Sequence, residues 1–236
     1  MLFYTSISSY YEYIFPLKRE KLEFALDGLA SNGNILDIGC STGELARAIN
    51  EYGHSVIGID LDKDMITIAK EYENDKLSFY KMNMLDIDNN FSESIFDEIL
   101  CFGNTLVHLQ NNKEILNLLK KIRLLLKEGG KFKFQVINYE KVLNENLNGL
   151  PTIENEKIKF IREYKLSNRL IEFKTKLIIK DENKVIKNKI MLLPIAKAEI
   201  VKLLKEAGFK KINCFSSFRK DSFDKSKLPL VIEASK

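Results

Sequence analysis

Apolar and polar residues follow two alternating patterns along the first 140 positions. Five apolar runs have the pattern of buried strands: NILDIG, HSVIGID, KLSFYKMN, FDEILCFGN and KFKFQVIN. Between these runs apolar residues recur at helical spacing, and the longest such stretch, KEILNLLKKIRLLLKEGG, predicts a helix closed by Gly129 and Gly130. Strands that alternate with helices indicate βαβ units, and therefore a parallel sheet with helices on both faces.

After about residue 140 the pattern changes to an alternation with period two. Three segments show it, IKFIREYKL, RLIEFKTKLIIK and KVIKNKIMLL, and they predict an antiparallel meander with one solvated face. One more helix and two last strands are expected over residues 196–207, 210–217 and 229–235. We therefore expect a core domain made of residues 1–140 and 195–236, with residues 141–194 inserted as a β-meander.

Composition and charge narrow the function classes. The 236 residues, 45% of them hydrophobic, suffice for one sizeable core, and the net charge of +4 does not favour a nucleic-acid partner. No run approaches the roughly 20 apolar residues of a membrane span, and no signal peptide is recognisable, so we expect a cytoplasmic protein without membrane contact. Two histidines and the widely spaced Cys40, Cys101 and Cys214 predict no metal site.

The stretch ILDIGCSTGEL joins the first strand to a helix through a glycine-rich turn, which is a general form of nucleotide site. A phosphate-binding loop would need Gly-Lys-Ser/Thr, and no lysine follows these glycines. A dinucleotide fold would need glycines where Ser41 and Glu44 stand, and the Glu44 carboxylate would repel a pyrophosphate. A nucleoside ligand without phosphates is therefore favoured, while an NAD-dependent oxidoreductase and a non-catalytic adenosine-binding protein stay as alternatives.

The spacing of Asp37, Gly39, Ser41 and Gly43 resembles the first motif of class I S-adenosylmethionine-dependent methyltransferases, usually Asp/Glu-x-Gly-x-Gly-x-Gly. The segments FGNTLVHL and INYEKVL are similar to the small-molecule branch typified by glycine N-methyltransferase, and the resemblance covers about residues 33–143. It implies a Rossmann-like α/β fold with a seven-stranded, mostly parallel sheet whose last strand is antiparallel. The β-insertion would then form a lid over the substrate.

The resemblance also implies S-adenosylmethionine as cofactor. Asp37 would orient the cofactor's ammonium group, and the glycines would let the backbone pass close to the ligand. Asp60, at the end of the second strand, is placed to accept hydrogen bonds from the ribose hydroxyls. The predicted cofactor-binding residues are Tyr4, Tyr11, Asp37, Gly39, Cys40, Ser41, Gly43, Asp60, Leu61, Asn83, Met84, Leu85, Phe102 and Gly103.

The predicted activity is transfer of a methyl group to a nitrogen or oxygen atom of a small molecule by in-line displacement. His108, one of the two histidines, is a candidate general base, and Asn104 is a second candidate catalytic residue beside it. Asn138, Tyr139 and Arg162 are candidate substrate contacts, with Arg162 able to bind a carboxylate. The acceptor atom, the use of a base and the choice between monomer and homodimer stay open at this point.

Overall fold

The computed structural model describes residues 2–236 and contains two β-sheets. Their strands are β1 (Asn34–Ile38), β2 (Ser55–Asp60), β3 (Leu77–Lys81), β4 (Phe96–Cys101), β5 (Leu126–Ile137), β6 (Gly149–Glu154), β7 (Ile158–Ser167), β8 (Leu170–Ile179), β9 (Lys184–Leu192), β10 (Lys210–Phe215) and β11 (Pro229–Ser235). The α-helices are α1 (Leu2–Thr5), α2 (Tyr11–Ile14), α3 (Arg19–Leu26), α4 (Glu44–Glu51), α5 (Lys63–Lys70), α6 (Ile87–Asn90), α7 (Asn112–Leu125), α8 (Tyr139–Asn144) and α9 (Lys197–Glu206). None of the helices in this part of the chain is long and apolar enough to cross a membrane.

The larger sheet confirms the predicted α/β core. Its seven strands lie in the order β10-β11-β5-β4-β1-β2-β3. Strands β1 to β5 pair in parallel, whereas β11 runs antiparallel to β5. The carboxyl ends of β1, β2 and β4 therefore meet at one edge of the sheet, which is where open α/β sheets bind ligands.

Helices cover both faces of this sheet because successive strand residues point to opposite sides. On β1, buried Ile35 belongs to a cluster with apolar residues of α3, α4 and α5. Its neighbour Leu36 belongs to a second cluster that contains residues of α7 and α9. The two clusters hold β1 from both faces, and its last residues lead into the glycine-rich turn.

The helix predicted to end at Gly129 and Gly130 is shorter than expected. Helix α7 ends at Leu125, and Leu126 already pairs with Phe96 in the sheet. The register between β4 and β5 then shifts before pairing resumes at Lys131, so the two glycines lie in an irregular part of β5. Gly129 has φ +77°, a conformation that suits glycine at such a bulge.

The smaller sheet is the inserted meander, and it has four antiparallel strands in the order β6-β7-β8-β9. Three of them were predicted, but β6 was not, because GLPTIE contains a proline and does not alternate cleanly. Pro151 is tolerated because β6 is an edge strand with an irregular register to β7. Between β3 and β4 the chain forms a 3₁₀ turn at Met84–Asp86 and helix α6.

Residues 3–15, the N-terminal segment, pack against the inner face of the smaller sheet. Phe3, Ile7 and Ile14 form a cluster with buried apolar residues of β7 and β8. The other side of the segment reaches the turn after β1 and helix α4, where Glu12 accepts hydrogen bonds from Thr42 and Arg47. The segment thus connects the smaller sheet to the core that surrounds the larger sheet.

Candidate functional site

A cavity of about 750 Å³ lies at the carboxyl edge of the larger sheet and is also lined by the smaller sheet and the N-terminal segment. We call it the large cavity. A side chamber of about 80 Å³ adjoins it beside the end of β2. Both spaces are lined by Tyr4, Tyr11, Gly39, Ser41, Gly103 and His108. The size of the large cavity is within the usual range of about 300–1,000 Å³ for small-ligand sites.

The glycine-rich turn after β1 forms the floor of both spaces. Gly39, Ser41 and Gly43 all have positive φ, at +75°, +49° and +82°. A Cβ on Gly39 would lie 2.5 Å from the Thr105 side chain, so only glycine fits there. Ser41 keeps a glycine-like conformation where the family motif has glycine. Gly43 faces the ring of Phe79 and lies outside the cavity walls.

Asp60 supports the turn through both of its carboxylate oxygens. Oδ2 accepts a hydrogen bond from the Ser41 amide at 3.0 Å, and Oδ1 accepts one from the Asp62 amide at 2.9 Å. Burial raises the pKa of Asp60, while these amide bonds lower it. Each ionised oxygen retains a further lone pair. The side chain lines the side chamber, so it can accept hydrogen bonds from a pair of ligand hydroxyls.

Asp37 and Lys21 place opposite charges in the large cavity. Asp37 is 4% exposed, and burial raises its pKa to about 6, although Lys21 lowers it. Lys21, on α3, has its ammonium 5.6 Å from the centre of the Phe102 ring, and burial lowers its pKa. An anion and a cation in one cavity fit the ammonium and carboxylate groups of an amino acid. Sequence reasoning missed Lys21, because nothing in the pattern of α3 distinguishes it from exposed lysines.

We expect Lys21→Met to weaken binding of S-adenosylhomocysteine about 10-fold, because a charged hydrogen bond to its carboxylate contributes roughly 1.5 kcal/mol. Binding of 5′-methylthioadenosine, which lacks the amino acid part, should not change. Calorimetry with both ligands measures the difference. Arg19→Met is the control, since Arg19 is on the same helix and its side chain is 88% exposed. Equal losses for both ligands would contradict this role of Lys21.

The adenine end of the site differs in one respect from the prediction. The Asn83 side-chain oxygen accepts a hydrogen bond from the Leu85 amide at 3.0 Å and so caps the 3₁₀ turn. The Leu85 amide is therefore engaged, and Leu85 lies outside the cavity walls. Asn83, Met84 and Leu61 do line the side chamber, as expected.

Tyr4 and His108 form a hydrogen-bonded pair between residues far apart in sequence. The Tyr4 hydroxyl lies 2.8 Å from Nε2 of His108. Burial raises the pKa of Tyr4 well above its usual value and lowers the pKa of His108 to about 4. Tyr11 contacts Ser41, and burial raises its pKa to about 12. All three side chains are therefore uncharged at neutral pH.

Asn104 joins the ends of β4 and β5 and is held in a left-handed conformation with φ +68°. Its Oδ1 accepts a hydrogen bond from the Ile137 amide, and its Nδ2 donates one to the Tyr139 hydroxyl, each at 2.9 Å. Asn104 lines the large cavity, but both ends of its side chain are already engaged. These contacts position the end of β5 and Tyr139, and a catalytic role for Asn104 stays a prediction.

The three predicted substrate contacts are placed differently. Arg162 lines the large cavity, but Tyr139 is buried behind Asn104 and Asn138 is wholly buried. Asn138 donates hydrogen bonds to the carbonyls of Lys225 and Lys227. The expectation that Asn138 and Tyr139 line the pocket is therefore not met, because α8 begins at this point and turns both side chains inward.

Most of the predicted cofactor-binding residues do come together. Those that line either space are Tyr4, Tyr11, Asp37, Gly39, Cys40, Ser41, Asp60, Leu61, Asn83, Met84, Phe102 and Gly103. The turn before α4 also carries Glu44 at the first helical position, where its charge opposes a phosphate. The donors and acceptors thus fit an amino acid joined to a nucleoside, and they do not fit a pyrophosphate.

Comparisons with known proteins agree with this chemistry. Residues 35–130 match the family model described as a methyltransferase domain. The chain is 33% identical over 130 residues to a putative methyltransferase of Geobacillus sp. (strain WCH70), a match that covers 54% of this chain and 51% of that protein. It is 31% identical over 107 residues to a ubiquinone biosynthesis O-methyltransferase of Coxiella burnetii, which covers 44% of each. It is 30% identical over 125 residues to the human glycine N-methyltransferase, which covers 47% of this chain and 42% of that protein.

The chain thus spans about half the length of the curated relatives it matches. A solved structure is similar over nearly the whole chain. It is an S-adenosylmethionine-dependent methyltransferase from Clostridium acetobutylicum ATCC 824, with a TM-score of 0.82 and 98% of each chain covered. At 17% sequence identity this similarity concerns the fold.

Proposed function

We infer that this chain is a class I S-adenosylmethionine-dependent methyltransferase, because residues 35–130 match a methyltransferase domain and its curated relatives and structural neighbour include methyltransferases. S-adenosylmethionine is the cofactor of that family, and when bound it supplies a methyl group that is already electrophilic. We propose that the chain transfers this methyl group to the nitrogen of a neutral amine on a small molecule. The large cavity, enclosed by two sheets and the N-terminal segment, supports a small acceptor.

Each part of the cofactor would be held by different residues. Asp60 would hold the ribose hydroxyls, and the walls of the side chamber, such as Leu61 and Met84, would pack on the adenine. Asp37 and Lys21 would hold the ammonium and carboxylate groups. These contacts fix the orientation of the methyl group, and orientation of reactants can supply on the order of 7–11 kcal/mol of a barrier.

One observation supports nitrogen over oxygen as the atom that accepts the methyl group. The titratable residues that line both spaces are Tyr4, Tyr11 and His108. Burial raises the pKa of both tyrosines and lowers the pKa of His108 to about 4. None of the three is therefore poised to take a proton near pH 7. Asp37, whose pKa burial raises to about 6, also lines the large cavity, but in this proposal the ammonium group of the cofactor engages its carboxylate. An alcohol would need such a base, whereas a neutral amine already presents a lone pair.

The N-terminal segment supports the same chemistry by covering the reacting region. Thr5 donates a hydrogen bond to Asp62 at 2.6 Å, and Thr42 donates one to Glu12 at 2.9 Å. Both contacts tie the segment to the turns that follow β1 and β2, next to the predicted cofactor site. A covered site excludes water from the methyl group.

The proposal is tested by calorimetry followed by turnover. S-adenosylhomocysteine should bind and NAD should not. Methyl transfer from labelled S-adenosylmethionine is then measured on pairs of amines and alcohols with the same carbon skeleton, at a pH at which the amines are neutral. We expect methylation of amines only. Absence of S-adenosylhomocysteine binding would overturn the activity, transfer to alcohols alone would overturn the nitrogen acceptor, and binding without any transfer would favour a non-catalytic adenosine-binding protein.

We expect His108→Gln to leave the shape of the kcat profile unchanged between pH 6 and pH 9, because the lowered pKa keeps His108 neutral throughout. Its effect should instead appear in the stability at acid pH. The unfolded state, with a histidine pKa of about 6.5, takes up the proton first, so wild-type stability falls as the pH drops from about 6.5 to about 4. Thermal unfolding from pH 7 to pH 4 should show a smaller fall for the variant. A kinetic limb near pH 6.5 that the variant lacks would instead identify His108 as a base.

A further inference from the structure

Arg162 is a cation without a counter-ion on the inner face of the smaller sheet. Its side chain lines the large cavity, at the β7 position that pairs with Leu150 of β6 and Thr175 of β8. Within residues 2–236 its guanidinium donates one hydrogen bond, from Nη2 to the Pro151 carbonyl. Nε is buried without a partner, and no carboxylate of the described chain forms an ion pair with this arginine.

Most residues around Arg162 are aromatic, apart from the buried Thr175 that pairs with it on β8. The neighbouring inner-face positions hold Phe160 and Tyr164 on the same strand and Phe173 on the next, and all three line the cavity. The Arg162 side chain is partly buried, and this burial lowers its pKa. A guanidinium stays charged even so. Leaving such a charge without a partner costs stability, and buried charges in proteins are normally paired.

The position of this charge connects it to the proposed reaction. Arg162 shares the large cavity with Asp37, Gly39 and Asn104, which lie at the carboxyl ends of β1 and β4. It projects from the opposite wall, formed by the smaller sheet. A ligand that contacts Arg162 therefore occupies the space between the smaller sheet and the predicted cofactor site.

We propose that Arg162 binds the anionic group of the methyl acceptor, and that the acceptor is an anion with an apolar body. The inference rests on the proposed function in taking the ligand to be the acceptor. A carboxylate or a phosphate fits the free face of the guanidinium, because both accept paired N–H groups. Phe160, Tyr164 and Phe173 would then contact the apolar body of the ligand.

The first test uses three probes that share one skeleton: phenylacetate, benzylphosphonate and the neutral phenylacetamide. Each is titrated by calorimetry into the wild type saturated with S-adenosylhomocysteine. We expect at least one of the two anions to bind at least 10-fold more tightly than the amide, and the better anion identifies the head group. Arg162→Met should remove this preference, and Arg169→Met should not, because Arg169 lies on the exposed turn between β7 and β8. Equal binding of the three probes, binding of no anion, or an unchanged preference in Arg162→Met would overturn the proposal.

The second test asks whether Arg162 serves the fold instead. A charge kept for a ligand costs stability, so Arg162→Met should unfold at the same temperature as the ligand-free wild type or a few degrees higher. A fall of several degrees would show that the contact with Pro151 is structural and would count against the proposal. If S-adenosylhomocysteine itself fails to bind, the proposed function fails, and the three probes are then titrated into the protein alone. An anion preference that depends on Arg162 would still support the anion site.

Discussion

Asp60→Asn should bind S-adenosylhomocysteine about 100-fold more weakly than the wild type, because hydrogen bonds to a charged group contribute roughly 1.5–3 kcal/mol each. The carboxylate of Asp60 already holds the amides of Ser41 and Asp62 through separate oxygens. An asparagine amide group has only one oxygen, so it loses one of these bonds and places N–H donors where acceptors are needed. Calorimetry gives the dissociation constants directly.

The loss should be the same for 5′-methylthioadenosine, because that ligand keeps the ribose. Asp64→Asn is the matched control, since Asp64 is an exposed carboxylate in the first turn of α5. Lys21→Met, by contrast, should discriminate between the two ligands. If the Asp60→Asn variant bound both ligands as tightly as the wild type, the ribose could not bind at this end of the site.

The position of Asp60 was predictable from sequence because parallel strands end at one edge of a sheet. An acidic residue at the end of β2 must lie beside the turn after β1, whatever the loops do. The same logic predicts that Asp37, Gly39 and Gly103 lie at this edge, and all three line the large cavity. The resemblance to methyltransferases, which rests on these strand ends, is confirmed by the family match.

Contacts made by loops and by the insertion could not be predicted in this way. Tyr4 and His108 meet across 104 positions of sequence, and their pairing depends on how the N-terminal segment packs on the smaller sheet. Asn138 follows a strand directly, yet it faces the interior, because the chain turns there into α8. The alternating pattern predicted β7 as a strand, but it could not show that Arg162 faces the large cavity or that no acid among residues 2–236 pairs with it.

Lys133 shows a further limit of prediction from the sequence. Strand alternation alone does not distinguish a lysine buried in the core from one in water. In KFKFQVIN the lysines at positions 131 and 133 look alike, but the Lys133 side chain is 0% exposed. Its ammonium lies 2.9 Å from Glu98 and donates hydrogen bonds to the carbonyls of Phe24, Ala25 and Asp27 at the end of α3. One cation thus joins two central strands to the C-terminus of a helix. The helix dipole stabilises a positive charge at that end.

Lys133→Met should lower the free energy of unfolding by about 3–5 kcal/mol, since removing one member of a buried ion pair leaves the other uncompensated. For a chain of this length that corresponds to a fall of roughly 6–20 °C in Tm.

Burial already raises the pKa of Glu98 to about 8 although Lys133 lowers it, so Glu98 must take up a proton to stay buried in the variant. A folded pKa above the unfolded value gives stability at low pH that is lost as the pH rises. The variant should therefore lose more stability at pH 9 than at pH 5.

Two further variants separate the ion pair from the carbonyl contacts. Lys133→Met combined with Glu98→Leu should be more stable than Lys133→Met alone, because no buried carboxylate remains, and its unfolding should not share the loss at high pH. Lys131→Met is the control and should change stability by less than about 1 kcal/mol, because its contact with Glu233 is longer, at 3.4 Å, and partly exposed. If the double variant were no more stable than Lys133→Met, the three carbonyls of α3, and not Glu98, would account for the burial of this lysine.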